Sequence, residues 1–343
     1  MRTFFIRLRS WEYWPFGIVQ FPVFIYWLWL SLRARSLVFF SASNPTVVLG
    51  GMFGESKFDL LKRVPEHLKP RTIFIKWPVT VEELEHLIAK HNFRWPMIFK
   101  PDLGERGFMV KRISSLHEME DYIRRINTDF IIQEYVDLPV ECGVFYTRYP
   151  DEPYGRVTSL VLKEMLAVTG DGTSNVEELI LREDRARLQY ERLQRSHNGV
   201  LKHVLPSGHK LELNPIGNHC LGTKFIDGGE HISEELSASF DQICKQLDKF
   251  YFGRIDLRCA SLEHLRRGEV QILEVNGCGA EPGHIYHPGF PLFKAVGVLF
   301  THWRAIYDIS TQNRRRGHPY TSLKDGLNIY RRFKETLRKS VQA

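Results

Sequence analysis

Gly253-Arg-Ile-Asp-Leu-Arg-Cys-Ala-Ser261 and Glu269-Val-Gln-Ile-Leu-Glu-Val-Asn-Gly277 are the two stretches on which the reading of the fold turns. Each reads as a strand, and a charged loop joins them. Successive side chains of a strand point to opposite faces, so Asp256 shares a face with Arg254, and Glu274 shares one with Asn276. If the strands pair, one face presents two carboxylates, an amide oxygen and an arginine. Oxygen donors of this kind suit magnesium, which takes few carboxylates and keeps positions for phosphate oxygens. A surface salt-bridge cluster is the competing reading.

Working outward, Pro96-Met-Ile-Phe-Lys100 reads as a strand that ends in a lysine. The glycine loop Asp102-Leu-Gly104-Glu-Arg106-Gly107-Phe follows, then a short strand, MVKRI. Backbone N–H groups next to glycine can cradle phosphate with lysine as a point charge, although a plain hairpin turn explains the pattern equally well. The loop has neither the P-loop pattern nor the dinucleotide fingerprint. Lys163, in the apolar stretch SLVLKEM, faces either a cleft or the solvent at a sheet edge. Thr80-x-x-Glu83 and Ser115-x-x-Glu118 are helix-start signals, the second opening a helix with Leu116, Met119, Tyr122, Ile123 and Ile126 at helical spacing. Phe130–Tyr135 reads as a strand, and 141–149 with 156–165 as a hairpin turned at DEPYG. Residues 174–197 read as helical, 214–225 as turns, 234–249 as an amphipathic helix and 291–309 as an apolar helix. The tail reads as an amphipathic helix. LVFFSASNPTVVLGG (37–51) reads as a strand, a turn at Asn44-Pro45 and a second short strand. The mixture is α+β.

Taken in order, the KPxxGxxG loop, IIQEYVDLPVE, the inward lysine, GRID and LEVN resemble the ATP-grasp superfamily, and within it the D-alanine–D-alanine ligase-like carboxylate–amine ligases. The resemblance spans about 97–285. It implies two α+β lobes clasping a nucleotide: a nucleotide lobe at 76–165 and a metal and substrate lobe at 166–310. A shortened, apolar region (1–75) precedes them, and a basic tail (311–343) follows. It implies ATP and two Mg2+ ions, with Asp256, Glu274 and Asn276 as metal ligands. Lys100 and Lys163 would grip phosphates with the loop residues Gly104, Arg106 and Gly107, and Arg254 would steady an acyl-phosphate. Gln133, Glu134 and Val136 would face adenine, and Glu141 the ribose hydroxyls. A further lysine is expected upstream, with Lys57 and Lys62 both open. The implied reaction activates a carboxylate as an acyl-phosphate and joins it to an amine, with ADP released. A nucleotide-binding module without turnover, and a ligase with a hydroxyl or thiol acceptor, are the alternatives. After LEVN the chain runs GCGAEPGHIYHPG, which departs from the family and leaves the substrate open. His219, Lys224, Glu281 and His284 are the substrate candidates.

The 343 residues are 43% hydrophobic, 13% aromatic and 25% charged, which excludes a disordered chain. Five widely spaced cysteines without a CxxC argue against a disulfide framework or a zinc ribbon, so a reducing, cytoplasmic setting is expected. The net charge of +7 comes from the ends: residues 1–40 carry +4, residues 311–343 carry +7, and the stretch between them carries −4. That middle lacks basic-aromatic interleaving, so nucleic-acid binding is not expected. Residues 16–32, FGIVQFPVFIYWLWLSL, are either a buried helix and strand or, with the basic tail, a peripheral membrane contact.

Overall fold

The computed structural model describes residues 2–104 and 107–341. Helices α1 (Arg2–Arg9) and α2 (Phe16–Ala34) come first, and α3 (Lys57–Arg63) follows a turn-rich stretch. Then come β1 (Thr72–Ile75), α4 (Val81–Lys90), β2 (Met97–Pro101), β3 (Lys111–Ile113), α5 (Leu116–Arg125) and β4 (Phe130–Glu134). The hairpin β5 (Val140–Thr147) and β6 (Arg156–Glu164) leads to β7 (Ala167–Thr169), α6 (Val176–Arg182), α7 (Asp184–Leu188), α8 (Tyr190–Ser196), β8 (Lys210–Glu212) and β9 (Lys224–Asp227). Helix α9 (Glu234–Lys245), β10 (Phe252–Cys259), α10 (Leu262–Arg266), β11 (Gln271–Asn276), α11 (Leu292–Arg315) and α12 (Leu323–Val341) complete the order.

The strands form a four-stranded sheet, β1-β4-β2-β3, and a five-stranded sheet, β11-β10-β5-β6-β9, with a small β7-β8 pair. Every pairing in the two larger sheets is antiparallel. Each sheet buries one face under helices, as an antiparallel sheet built from alternating residues should. In the smaller sheet, Ile75, Met97, Phe99, Phe130 and Ile132 pack with Leu84 of α4 and Met119 and Tyr122 of α5. In the larger, Val144, Tyr146, Leu160, Ile255, Leu257 and Ile272 pack with Leu236, Phe240 and Ile243 of α9. The hairpin β5–β6, grouped by the sequence reading with the nucleotide lobe, pairs instead with β10 and belongs to the larger sheet.

The capping signals hold. The side chains of Thr80 and Glu83 reciprocally satisfy the first turn of α4, and Ser115 caps α5 by accepting from Glu118 N–H. Residues 37–51 differ from expectation, forming short 3-10 turns in place of two strands. Buried Asn44 explains the difference. Its Oδ1 accepts from Tyr251 N–H (2.8 Å) and Phe252 N–H (3.0 Å), and its Nδ2 donates to the Phe252 and Gly50 carbonyls, both at 2.8 Å. One amide thus stands in for a ladder and ties this segment to the start of β10. Residues 16–32 are a single helix, and most of its large apolar side chains are exposed.

Candidate active site

The second face of the five-stranded sheet is charged. Across the β10–β11 ladder Arg254 lies opposite Asn276 and Asp256 opposite Glu274. Asp256 then faces Gly143 and Arg258 faces Glu141 on β5, with Val161 of β6 opposite Gly143. Period-two alternation therefore places Arg254, Asp256 and Arg258, Glu141, Lys163, Glu274 and Asn276 on one surface.

All of these side chains except Glu274 form a continuous network. Asp256 Oδ2 accepts from Nε and Nη2 of Arg254 (3.1 and 3.0 Å) and from Nδ2 of Asn276 (3.0 Å). Asp256 Oδ1 lies 3.0 Å from Nζ of Lys163, which also donates to Glu141 Oε1 at 3.2 Å. The other Glu141 oxygen accepts from Arg258 Nε at 2.8 Å. Burial works against the charge on Asp256, but Arg254 and Lys163 outweigh it and hold the carboxyl down at about 2. Lys163, opposed by the same burial, is pulled above the usual ammonium range by Asp256 and Glu141.

The four-stranded sheet contributes Lys100 and Gln133 from the face opposite its helices. Lys100 Nζ donates to Gln133 Oε1 (3.1 Å) and to the Leu273 carbonyl (3.0 Å). That carbonyl is available because the β10–β11 register slips between Asp256 and Leu257, leaving Leu273 without a partner in the ladder. Both acceptors are neutral, so burial dominates. It pulls Lys100 down to about 8, against the attraction of Glu274 and with the repulsion of Lys57. Of the two upstream lysines, Lys57, at the start of α3, is the one that lies beside this face. Its Nζ sits 3.2 Å from Glu274 Oε1 and donates to the Gly104 carbonyl at 2.5 Å, whereas Lys62 is exposed. Asp102 fixes α3 there, accepting from Ser56 Oγ (3.0 Å) and Phe58 N–H (2.9 Å).

The Lys100 titration has a direct consequence. Only the protonated amine attracts phosphate, and phosphate binding holds the proton on. Under the function proposed below, ATP affinity should therefore be flat below about pH 8 and weaken above it, by at most about tenfold per pH unit. Isothermal titration of a non-hydrolysable ATP analogue across that range checks this, and Lys100→Arg should flatten the profile. An unchanged affinity at high pH would remove Lys100 from the phosphate site.

Two loops roof this face. Gly107 (φ +72°) lies against Leu221 and Asn218, where an added Cβ would stand 2.9 Å from Leu221 Cδ1. Gly217 presses on Glu141 so closely that a Cβ would come within 1.9 Å of Oε1. Val136 offers its carbonyl to Arg258 Nη1 at 2.9 Å, and Glu134 is exposed at the end of β4. Glu105 and Arg106 lie outside the described residues.

Among the described residues, Glu281 is the one substrate candidate that bonds a member of the network. Its carbonyl accepts from Arg254 Nη1 at 3.3 Å, while its carboxylate accepts from Gln20 Nε2 (2.5 Å) and from the Tyr286 hydroxyl. His219 pairs instead with Glu12 Oε2 (2.8 Å), and Arg185 holds the same carboxylate. Lys224 forms an exposed ion pair with Glu164 at 3.1 Å. His284 bonds Ser159 Oγ at 2.7 Å, and burial lowers its pKa. Sequence reasoning missed Arg258, Gln20 and the Leu273 carbonyl. Arg258 lies two residues past Asp256 and therefore on the same face, so alternation alone could have found it. The other two depend on tertiary packing and on the bulge.

Among the described residues, no group of three or more His, Cys, Asp or Glu side chains is placed to hold a metal by itself. Asp256, Glu274 and Asn276 fit a magnesium ion that takes its remaining ligands from phosphate. Asp256 Oδ1 is buried with no hydrogen bond beside its ion pair, and Asn276 spends its Nδ2 on the other Asp256 oxygen.

No family model and no curated protein matches the chain. Solved structures do. The D-alanine–D-alanine ligase from Bacillus anthracis is 14% identical, with 76% of this chain and 68% of that one covered and a TM-score of 0.41. The VanG D-Ala:D-Ser ligase from Enterococcus faecalis is 17% identical over 70% and 57% of the two chains, with a TM-score of 0.38. A bifunctional glutathione synthetase from Pasteurella multocida is 14% identical over 71% of this chain, with a TM-score of 0.35, and the match spans only 36% of its own length. The chain itself is mixed α+β, with two antiparallel sheets packed against helices.

Proposed function

We propose that this chain is an ATP- and Mg2+-dependent ligase that activates a carboxylate as an acyl-phosphate, joins it to an amine and releases ADP. The observation that supports the reading is the meeting of Lys57, Lys100 and Lys163, which come from three separate elements, with Asp256, Glu274 and Asn276 on one partly buried face. Bound ATP would supply the phosphoryl group that makes a carboxylate electrophilic, and Mg2+ would neutralise charge between the phosphates.

The residues have the chemistry this requires. The three ammonium groups already sit beside carboxylate or carbonyl oxygens, and they would exchange these for phosphate oxygens. Asp256, Glu274 and Asn276 would hold the metal. Glu141, flanked by Lys163 and Arg258, would take the ribose hydroxyls, and Gln133 with the backbone of Glu134 and Val136 would meet adenine. Arg254 would meet the negative charge that develops as the amine attacks the acyl carbon and phosphate departs. A carboxylate and an amine of small-molecule size are the expected substrates.

The test incubates the full chain with ATP, Mg2+ and a pool of amino acids and small carboxylic acids. ADP release that depends on the acid, hydroxamate formation when hydroxylamine is added, and a product with the mass of the condensed pair are expected. Saturable ATP binding with no acid-dependent ADP would replace the ligase with a binding module. Absence of ATP binding would overturn the reading.

A further inference from the structure

Helix α2 has the wrong outer face for a surface helix of a soluble domain. Its inner side is ordinary, with Val19, Val23, Leu30 and Ala34 buried against the fold. Its outer side is Ile18, Phe21, Ile25, Leu28 and Leu32, which are 59%, 63%, 53%, 38% and 78% exposed. A helix at a protein surface normally turns polar residues to water, and one that is apolar all round is normally surrounded by protein or lipid. Here the helix is 19 residues long and, by length and composition, apolar enough to cross a membrane, yet little of it is buried in the fold. Phe24 and Trp29 widen the exposed strip, and Phe4, Phe5 and Leu8 of α1 add to the exposed apolar surface.

The charge at its ends suggests what covers this face. Arg7 and Arg9 lie before α2, and Arg33 and Arg35 close it. Arg33 stacks on Trp29 (4.9 Å) and on Tyr307 of α11 (5.6 Å). Beside it, a cavity of about 320 Å³ is lined by Arg33, Arg314 and Arg315 with Tyr307, Thr311 and Tyr320. The Thr311 hydroxyl there is buried without a hydrogen-bond partner. An adjoining cavity of about 870 Å³ continues over Leu28 and Leu32 to Arg35 and Leu323. Apolar surface bordered by arginines and an arginine-lined pocket matches acyl chains bordered by phosphate headgroups. A second copy of the chain matches less well, because a two-fold contact brings like patches, and hence like arginines, together.

We propose that the outer face of α2 docks the protein onto an anionic lipid bilayer, with the helix lying in the interface and Arg33, Arg35, Arg314 and Arg315 at headgroup level. Gln20, on the inner side of the same helix, bonds Glu281, whose carbonyl holds Arg254, so the docking face is two contacts from the charged sheet. The inference does not need the ligase reading, and its test contains no nucleotide.

The experiment is co-sedimentation of the full chain with phosphatidylcholine vesicles, with and without phosphatidylglycerol. Binding should require the anionic lipid and weaken with salt. Phe21→Glu combined with Ile25→Glu should abolish it while the melting temperature holds, because both side chains face outward. Reversal of Arg33, Arg35 and Arg315 to Glu should weaken it at least about fivefold per arginine. Lack of co-sedimentation with anionic vesicles would overturn the proposal, as would equal binding by both variants. Lipid-free dimerisation that the apolar substitutions abolish would assign the face to a second copy instead.

Discussion

Asp256→Asn is expected to lower acid-dependent ADP release by about a hundred- to a thousandfold, the scale of removing one preorganised charge from a water-excluded site. The carboxylate holds both Arg254 and Lys163 at 3.0 Å and, in the proposed function, is also a metal ligand. The substitution keeps the shape and the bond with Asn276 but takes away the charge. Lys163 retains Glu141 as a partner, so the chain should still fold, with a lower melting temperature because Arg254 loses its buried counter-ion. Initial rates and a melting curve on the same preparation check the two effects separately. If a folded Asp256→Asn protein turned over at nearly the normal rate, Asp256 would be a structural ion-pair partner and nothing more. Glu274→Gln provides a second measurement should Asp256→Asn fail to fold, since among the described residues Glu274 has Lys57 as its one ion-pair partner and is more exposed than Asp256.

Gly277→Val should have the largest effect on stability, about 3 kcal/mol or more, because the overlap is with backbone and cannot be relieved by a rotamer change. A Cβ at Gly277 would lie 2.4 Å from the Gly50 carbonyl oxygen and 2.6 Å from Gly51 Cα. The two segments are also hydrogen-bonded, Cys278 N–H to Gly50 O at 3.0 Å and Gly279 N–H to Gly51 O at 2.8 Å. Gly51 has φ +80°, a conformation that side chains disfavour, so the contact needs glycine on both sides. Asn276 immediately precedes this clamp, and turnover should fall along with stability. Urea denaturation of wild type and variant measures the loss; equal midpoints would show that the clamp can open without cost.

Local chemistry accounts for the elements that could be read from residues alone. Thr80 and Ser115 begin helices because a short hydroxyl side chain can satisfy N–H groups that the helix leaves open, whatever the rest of the chain does. Alternation placed Arg254 with Asp256 and Glu274 with Asn276, since the pleat assigns faces residue by residue. The antiparallel pairing that brought the two pairs opposite one another fits the short connection between the strands. The ammonium groups were legible for the same reason: Lys100 and Lys163 are charges within otherwise apolar strands, and such charges have to face a cleft or a counter-ion.

Other features required the assembled molecule. An apolar run such as 37–51 has to be buried, but burial does not dictate how its backbone groups are satisfied. Asn44 and the Gly50–Gly277 contact supply partners that a strand would otherwise find in a sheet, and they lie more than 200 residues away in the chain. That Lys57 and not Lys62 lies beside Glu274 is likewise tertiary, because it depends on how Asp102 anchors α3 there. The outer face of α2 is the clearest case. Hydrophobic composition marks a helix that leaves water, while only the packing of Val19, Val23 and Leu30 against the fold shows which of its two apolar sides is still without protein cover.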